Sequence, residues 1–356
     1  MNKKDINRLY RSCTQDESLR SIAESYKPTD SVFVSILCLC YNHEKYIERC
    51  LEGFLKQKVN FNVEIIIHDD CSSDSSKKII EEYKFKYPNV FRTVFECENQ
   101  YKKGVNIENT ILSKLIRGKY VMICESDDYW IDPFKIAFQV RALQFNDNCR
   151  FVSHATRNED ILGEKIGRIP KKFSTGCYNR EEVLPLLLEN YMFHTTSFCF
   201  RASDYLDYCK NLPLFASNMS VGDYALALFF TNLGETVYLN KLMSAHVDQV
   251  PGSWTDKNRN KPLYLKREHQ KNMISCFSLF NEYTNHDFEG SFLKRLHEYE
   301  MFILADRGDY SSIISNRSYS NALKKNDKRT YYSAKLRIKH PNIYSIIKKV
   351  ANYGKR

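Results

Sequence analysis

Two short apolar runs that end in clustered carboxylates constrain this chain more than any other feature. Val63 to Ile67, interrupted only by Glu64 and rich in β-branched residues, leads into His68, Asp69, Asp70, Cys71, Ser72, Ser73 and Asp74. Tyr120 to Cys124 leads into Glu125, Ser126, Asp127, Asp128, Tyr129 and Trp130. Runs of this length and composition read as buried strands. In an open α/β sheet ligands sit at the carboxyl ends of strands, so two acid-tipped ends on one sheet define one site. Crowded carboxylates repel one another unless a cation or strong donors offset them, and hard oxygen ligands suit Mg²⁺ or Mn²⁺. A solvated acidic turn is the plain alternative for either cluster alone; its recurrence argues against that. A third strand, Val32 to Leu39, ends in Cys40, Tyr41 and Asn42 and brings Tyr41 to the same rim.

The pattern around these runs alternates. The spacing predicts helices over Glu44 to Lys56, Ser75 to Lys86 and Ile107 to Arg117, and a further strand over Val90 to Phe95. After the second acidic cluster, Asp132 and Pro133 predict a helix start, a capping carboxylate before a residue pre-set for the first turn, with the helix running to Phe145. This is the β/α repetition of a Rossmann-like sheet. From Arg150 onward the pattern is irregular, with a strand expected at Thr196 to Arg201 and a helix from Gly222 and Asp223 to Leu233; beyond Leu263 it is mainly helical. No GxGxxG follows the first strand, which argues against a dinucleotide enzyme and leaves a metal as the simplest holder of phosphates.

With 356 residues, 43% of them hydrophobic, the chain can bury a full core. No apolar stretch approaches the roughly 18 to 20 residues that span a bilayer. The N-terminus carries Lys3, Lys4, Asp5 and Arg8 without an apolar segment behind them, so it does not read as a secretory signal. The twelve cysteines are scattered, without a disulfide framework or a zinc-type CxxC pair, and a cytoplasmic protein with reduced thiols is expected. Residues 321–356 hold eleven Lys or Arg against Asp327 alone, which equals the whole formal excess of +10. Within them Ile343, Ile346, Ile347 and Val350 recur at helical spacing behind Pro341, with Lys348 and Lys349 on other faces. A basic amphipathic helix reads as a contact to the inner face of a membrane, or as a solvated helix docked on its own domain. No nucleic-acid motif accompanies the charge.

The segments VFVSILCLCYNHEKYIERCLEGFLKQ, VEIIIHDDCSSDSSKKIIEEY and GKYVMICESDDYWIDPFKIAFQ, in that order, resemble the family 2 glycosyltransferases. The resemblance implies the GT-A type fold: an α/β architecture with a Rossmann-like mixed sheet flanked by helices, here followed by a mainly helical, basic C-terminal extension. It implies a GT-A domain over 31–255 with a nucleotide-sugar half at 31–146 and an acceptor half at 147–255, whereas the polar lead over 1–30 and the extension over 256–356 are read from the residues themselves. It also implies inverting transfer from a nucleoside diphosphate sugar, most often UDP-linked, to a glycan or lipid-linked acceptor of the cell surface, with Mn²⁺ or Mg²⁺.

Carried over by position, Tyr41 stacks on the base and Asp70 accepts a hydrogen bond from it. Asp127 holds ribose or metal, Asp128 the metal, and Glu125 supports them. Asp223 in VGDYALALFF is the base, although a Gly-Asp pair at a helix start is also an ordinary N-cap. His194 in FHTTSF, Gln249 and Trp254 are candidate donor or acceptor contacts; His194 and Trp254 also read as packed core residues. The third metal contact falls on Gln249 or on nearby His246. Glu125 stands where the commoner motif has Asp, and Cys71 where it has glycine, which requires a turn that a non-glycine accepts. The rival readings are an inactive nucleotide- or glycan-binding scaffold and a phospho-acceptor receiver domain, against which the second acidic strand and the extra length count.

Overall fold

The computed structural model describes residues 1–13, 17–22, 31–189, 192–253, 256 and 263–345. They divide into two compact units. The first holds residues 1–187, 191–213 and 221–260, and the second 188–190, 214–220 and 261–356.

In the first unit helix α1 (Lys3–Arg11) precedes a sheet built from β1 (Val34–Cys40), β2 (Val63–Asp69), β3 (Phe91–Phe95), β4 (Tyr120–Ile123), β5 (Tyr129–Trp130), β6 (Cys149–Glu159), β7 (Lys165–Ile169), β8 (Gly176–Tyr178), β9 (Cys199–Arg201) and β10 (Glu235–Val247). Helices α2 (Ile47–Leu55), α3 (Ser76–Lys86), α4 (Lys135–Phe145) and α5 (Gly222–Leu233) accompany it. The strand order is β8-β10-β6-β9-β4-β1-β2-β3, with β5 added to β10 and β7 to β6. Strands β3, β2, β1 and β4 are parallel, as the alternating β/α pattern requires. The order reverses between β1 and β4, so their carboxyl ends open a crevice at the topological switch point. Antiparallel β9 then joins this half to β6, itself parallel to β10.

Strands β1 and β2 are almost wholly buried because helices cover them. Glu64 sits inside β2 at 1% exposure and is held by Ser35, Arg92 and both the backbone and side chain of Arg117. Such a carboxylate interrupts the apolar run without breaking the strand, since its charge is fully paired.

Four local expectations differ from the structure. The 107–117 helix divides into an α turn (Ile107–Thr110) and a 3₁₀ turn (Leu112–Leu115), where the Thr110 and Ser113 hydroxyls bond back to Asn106 and Asn109 carbonyls. Asp132 does not cap α4: its Oδ1 takes the Phe134 N–H at 2.8 Å, and the helix begins at Lys135, two residues later than expected, with Phe134 at the cap position. The irregular stretch after Arg150 contains two long strands, β6 and β10. Their buried polar residues are paired, Ser153 with Ser197 of a neighbouring 3₁₀ turn and Thr156 with Ser244 across the sheet, which hides the period-2 alternation. The N-terminal lead is not separate, because Ile6 is fully buried in the main core and the Tyr10 hydroxyl donates to Asp132.

The second unit is helical: α6 (Leu263–Tyr283), α7 (Glu289–Asp306), α8 (Tyr310–Ser315), α9 (Arg317–Asn326) and α10 (Lys328–Lys339). Residues 214–220 join it rather than the first unit, because Phe215 packs on Phe280 and the Asn272 side chain binds Asn218 and Ser220 backbone. A small core of Met301, Ile313, Ala322, Leu323 and Tyr331 closes α7 to α10. Among the described residues no helix is long and apolar enough to cross a membrane. Of the expected basic helix, residues 341–345 are described, with Ile343 half exposed, and 346–356 lie outside the described residues.

Candidate active site

The crevice is built by three strand ends stitched to one another. Past β1, Asn42 turns left-handed (φ 56°), and its N–H donates to Ser72 Oγ while its side-chain oxygen accepts the Ser73 N–H at 2.8 Å. Asp74 accepts the Glu44 N–H, and Glu44 accepts the Ser75 N–H. These reciprocal bonds fix the Tyr41 rim against the acidic end of β2. Cys71 takes φ 63°, the left-handed turn that glycine would adopt freely. Asp70, 4% exposed, accepts the Gln100 and Tyr101 N–H groups at 2.6 and 3.1 Å, so each oxygen already holds one donor. Tyr41 is half-buried, and the Lys102 ammonium lies 5.9 Å from its ring centre.

The end of β4 carries the charge. Asp127 is 6% exposed; its Oδ2 lies 3.7 Å from His43 Nε2, and its Oδ1 has no hydrogen-bond partner. His43 is anchored through Nδ1 to Ser126 Oγ at 2.7 Å. Asp128, 2% exposed, accepts the Val247 N–H at 3.1 Å and lies 2.9 Å from His246 Nδ1 and 3.4 Å from His194 Nδ1. The two imidazoles sit 4.1 Å apart, ring centre to ring centre. One ligand atom from each of Asp128, His194 and His246 lies within 4.8 Å of the others. Of the two residues the sequence left open for a third contact, His246, on β10, faces Asp128. Gln249 stands on the exposed turn beyond it at φ 66°. Trp254 lies outside the described residues.

Crowding sets the protonation states. Burial by itself depresses His246, but Asp128 outweighs it and pushes the imidazole to about 9. His194 is held at about 3 by burial and by the neighbouring His246 charge. Burial raises Asp127, whereas the two imidazoles overcome burial at Asp128 and lower it. Desolvation on the crevice floor and the charges of Asp127, Asp128, Asp223 and Glu108 raise Glu125 well above the carboxylate range, although its side chain opens to solvent. A buried carboxylate oxygen without a donor, beside one carboxylate and two imidazoles, suits a divalent cation such as Mn²⁺.

Asp223 faces the crevice from α5. It is the second residue of the helix, not its cap, since Val221 occupies that position. Its Oδ2 accepts the Thr195 hydroxyl at 3.0 Å and its Oδ1 the Tyr224 N–H at 2.9 Å. Thr195 follows His194 in a short 3₁₀ turn, so one dipeptide touches both Asp128 and Asp223. His194 is thus part of the crevice and not only a packed core residue. Burial and the Asp223 charge raise Glu108 to about 7. Sequence reasoning passed over His43 and Glu108; the position of His43 two residues past Tyr41 was the available signal, and for Glu108 there was none.

A family model described as "Glycosyl transferase family 2" matches residues 35–205, from β1 through β9 and into the helix that follows. Residues 35–205 of this chain therefore form a family 2 glycosyltransferase domain. An uncharacterized protein of Mycobacterium tuberculosis is 31% identical over 221 residues, 62% of this chain and 60% of that protein. The chondroitin synthase of Escherichia coli is 26% identical over 209 residues, 59% of this chain and 28% of the synthase. The chain therefore spans about three fifths or less of the length of these relatives. Among solved structures, Staphylococcus aureus TarS 1–349 in complex with UDP-GlcNAc superposes with a TM-score of 0.53 at 18% identity, covering 85% of this chain and 81% of that one. This likeness shows the fold, a GT-A type mixed sheet flanked by helices.

Proposed function

We propose that this family 2 glycosyltransferase moves a sugar, with inversion, from a nucleoside diphosphate sugar, UDP-linked, to a glycan or lipid-linked acceptor in cell-surface polysaccharide synthesis on the cytoplasmic side of the membrane. The observation that carries the reading is Asp128 set between two imidazoles at the switch point, joined through His194 and Thr195 to the Asp223 carboxylate. The UDP assignment draws on TarS, whose structure holds UDP-GlcNAc.

In this reading Asp128, His246 and His194 hold Mn²⁺ or Mg²⁺, with Asp127 and Glu125 beside them. The cation supplies Lewis-acid stabilisation of the charge that develops on the leaving diphosphate. Tyr41 stacks on the base and Asp70 receives its ring N–H through a remaining lone pair. Asp223 takes the proton of the acceptor hydroxyl as that oxygen attacks the anomeric carbon. The bond from that carbon to the diphosphate breaks, and the electron pair leaves with the diphosphate. The Thr195 hydroxyl holds the Asp223 carboxylate in place, and Glu108, which binds its proton more tightly than an ordinary carboxyl, limits the repulsion that Asp223 meets. The basic C-terminal helices meet the anionic lipid surface that carries the acceptor; deletion of residues 341–356 should then shift the protein from membrane to soluble fractions.

The test is calorimetric titration with UDP, GDP and dTDP, with and without Mn²⁺, beside an Asp127→Ala, Asp128→Ala double variant. Metal-dependent binding of UDP, lost in the variant, is the expected result. No metal-dependent binding of any of the three would refute the enzyme reading and favour a scaffold.

A further inference from the structure

One carboxylate braces both arms of the cation seat from outside it. Glu159 ends β6 at 2% exposure. Its Oε2 accepts the Tyr129 hydroxyl at 2.7 Å, and its Oε1 lies 2.5 Å from Arg157 Nε. Arg157 Nη2 donates to the same Tyr129 oxygen at 2.8 Å. The Arg49 guanidinium lies 3.8 Å over the Tyr129 ring and 3.9 Å from the carboxylate. The backbone of Glu159 makes a second link, because its carbonyl accepts the Asp248 N–H at 2.8 Å and it stands opposite Val247 in the parallel register. Tyr129 directly follows Asp128, and Val247 directly follows His246.

The side chain of Glu159 thus holds the residue next to one proposed ligand, and its backbone holds Asp248, two residues past the other. Side chains alternate across a strand, and Val247 is the register partner of Glu159. The Glu159 side chain therefore lies on the face of the sheet opposite His246. Two guanidiniums around one buried carboxylate leave it a single low-energy arrangement, since swinging out would abandon buried charge. Groups behind the ligands of a metal set ligand orientation and affinity.

We propose that Glu159, acting through Tyr129 and β10, is a positioning residue that fixes the spacing of Asp128 and His246 and so sets the affinity of the seat for its cation. The inference rests on the proposed reading that these residues bind a divalent metal. Glu159→Gln removes the charge and keeps an acceptor; Tyr129→Phe removes only the hydroxyl. Mn²⁺ alone is titrated into wild type, E159Q, Y129F and the double variant in nucleotide-free buffer. Free Mn²⁺ is followed by its EPR signal, and metal-free melting is recorded for each protein. The expected result is affinity weakened about tenfold in each single variant, no further loss in the double variant, and metal-free melting of Y129F close to wild type. Unchanged Mn²⁺ affinity in Y129F, or losses that add in the double variant, would overturn the brace while leaving the cation seat intact. A wild type that binds no Mn²⁺ would overturn both.

Discussion

Lys135 offers a direct test of how burial sets protonation in this fold. The side chain is fully buried in the first turn of α4, where the helix dipole also disfavours a cation. Its ammonium donates to Gln139 Oε1 at 2.7 Å and lies 3.8 Å over the Trp130 ring; among the described residues no carboxylate pairs with it. Burial lowers it from 10.5 to about 7. Between those values the unfolded chain binds a proton that the folded chain has released. Stability therefore rises with pH across the window, and the full cost is present below about 7. The displacement corresponds to about 5 kcal/mol as an upper bound, and the Trp130 cation–π contact offsets about 2 kcal/mol of it. Lys135→Met removes this cost but leaves Gln139 Oε1 without its donor, a loss of about 1–2 kcal/mol at every pH. Urea unfolding of wild type and K135M at about pH 6.5 and 9.5, with reductant present, isolates the pH-dependent part. The advantage of K135M over wild type should shrink by about 1–3 kcal/mol from the lower to the higher pH. A difference that is the same at both pH values would refute the argument that the folded state desolvates a charged lysine.

Asp223→Asn should lower sugar transfer by about 10²–10⁴-fold while nucleotide binding by calorimetry stays unchanged; loss of binding would instead give Asp223 a structural role. Glu64→Gln leaves Arg92 and Arg117 without their shared buried charge and should cost about 3 kcal/mol in urea unfolding. Cys71→Val should destabilise by about 1–2 kcal/mol, because a β-branched residue resists the left-handed turn, whereas Cys71→Gly should melt at or above wild type.

Local patterns carried the parallel half of the sheet into view. The runs at β1, β2 and β4 are apolar because both faces are covered, and a strand buried on both faces must be written in such residues whatever surrounds it. The acidic ends of β2 and β4, the Tyr41 rim and the α5 segment bearing Asp223 were legible for the same reason, each being a short stretch read in place. The second half was not. In β6 and β10 buried serines and threonines pair with hydroxyls distant in sequence, Ser153 with Ser197 and Thr156 with Ser244, and no single stretch of sequence records which hydroxyl will be the partner.

The amino-acid order by itself determined the β/α alternation, the two acid-tipped strand ends and the basic surplus after residue 320, since each follows from the chemistry of neighbours along the chain. The tertiary structure alone decided that His194 and His246, fifty-two positions apart, close on Asp128. It likewise decided that Thr195 reaches Asp223 and that Tyr129 reaches Glu159. Those contacts depend on strand order and register, which arise when the chain buries its apolar area as a whole, and side chains distant in sequence become neighbours only after that burial.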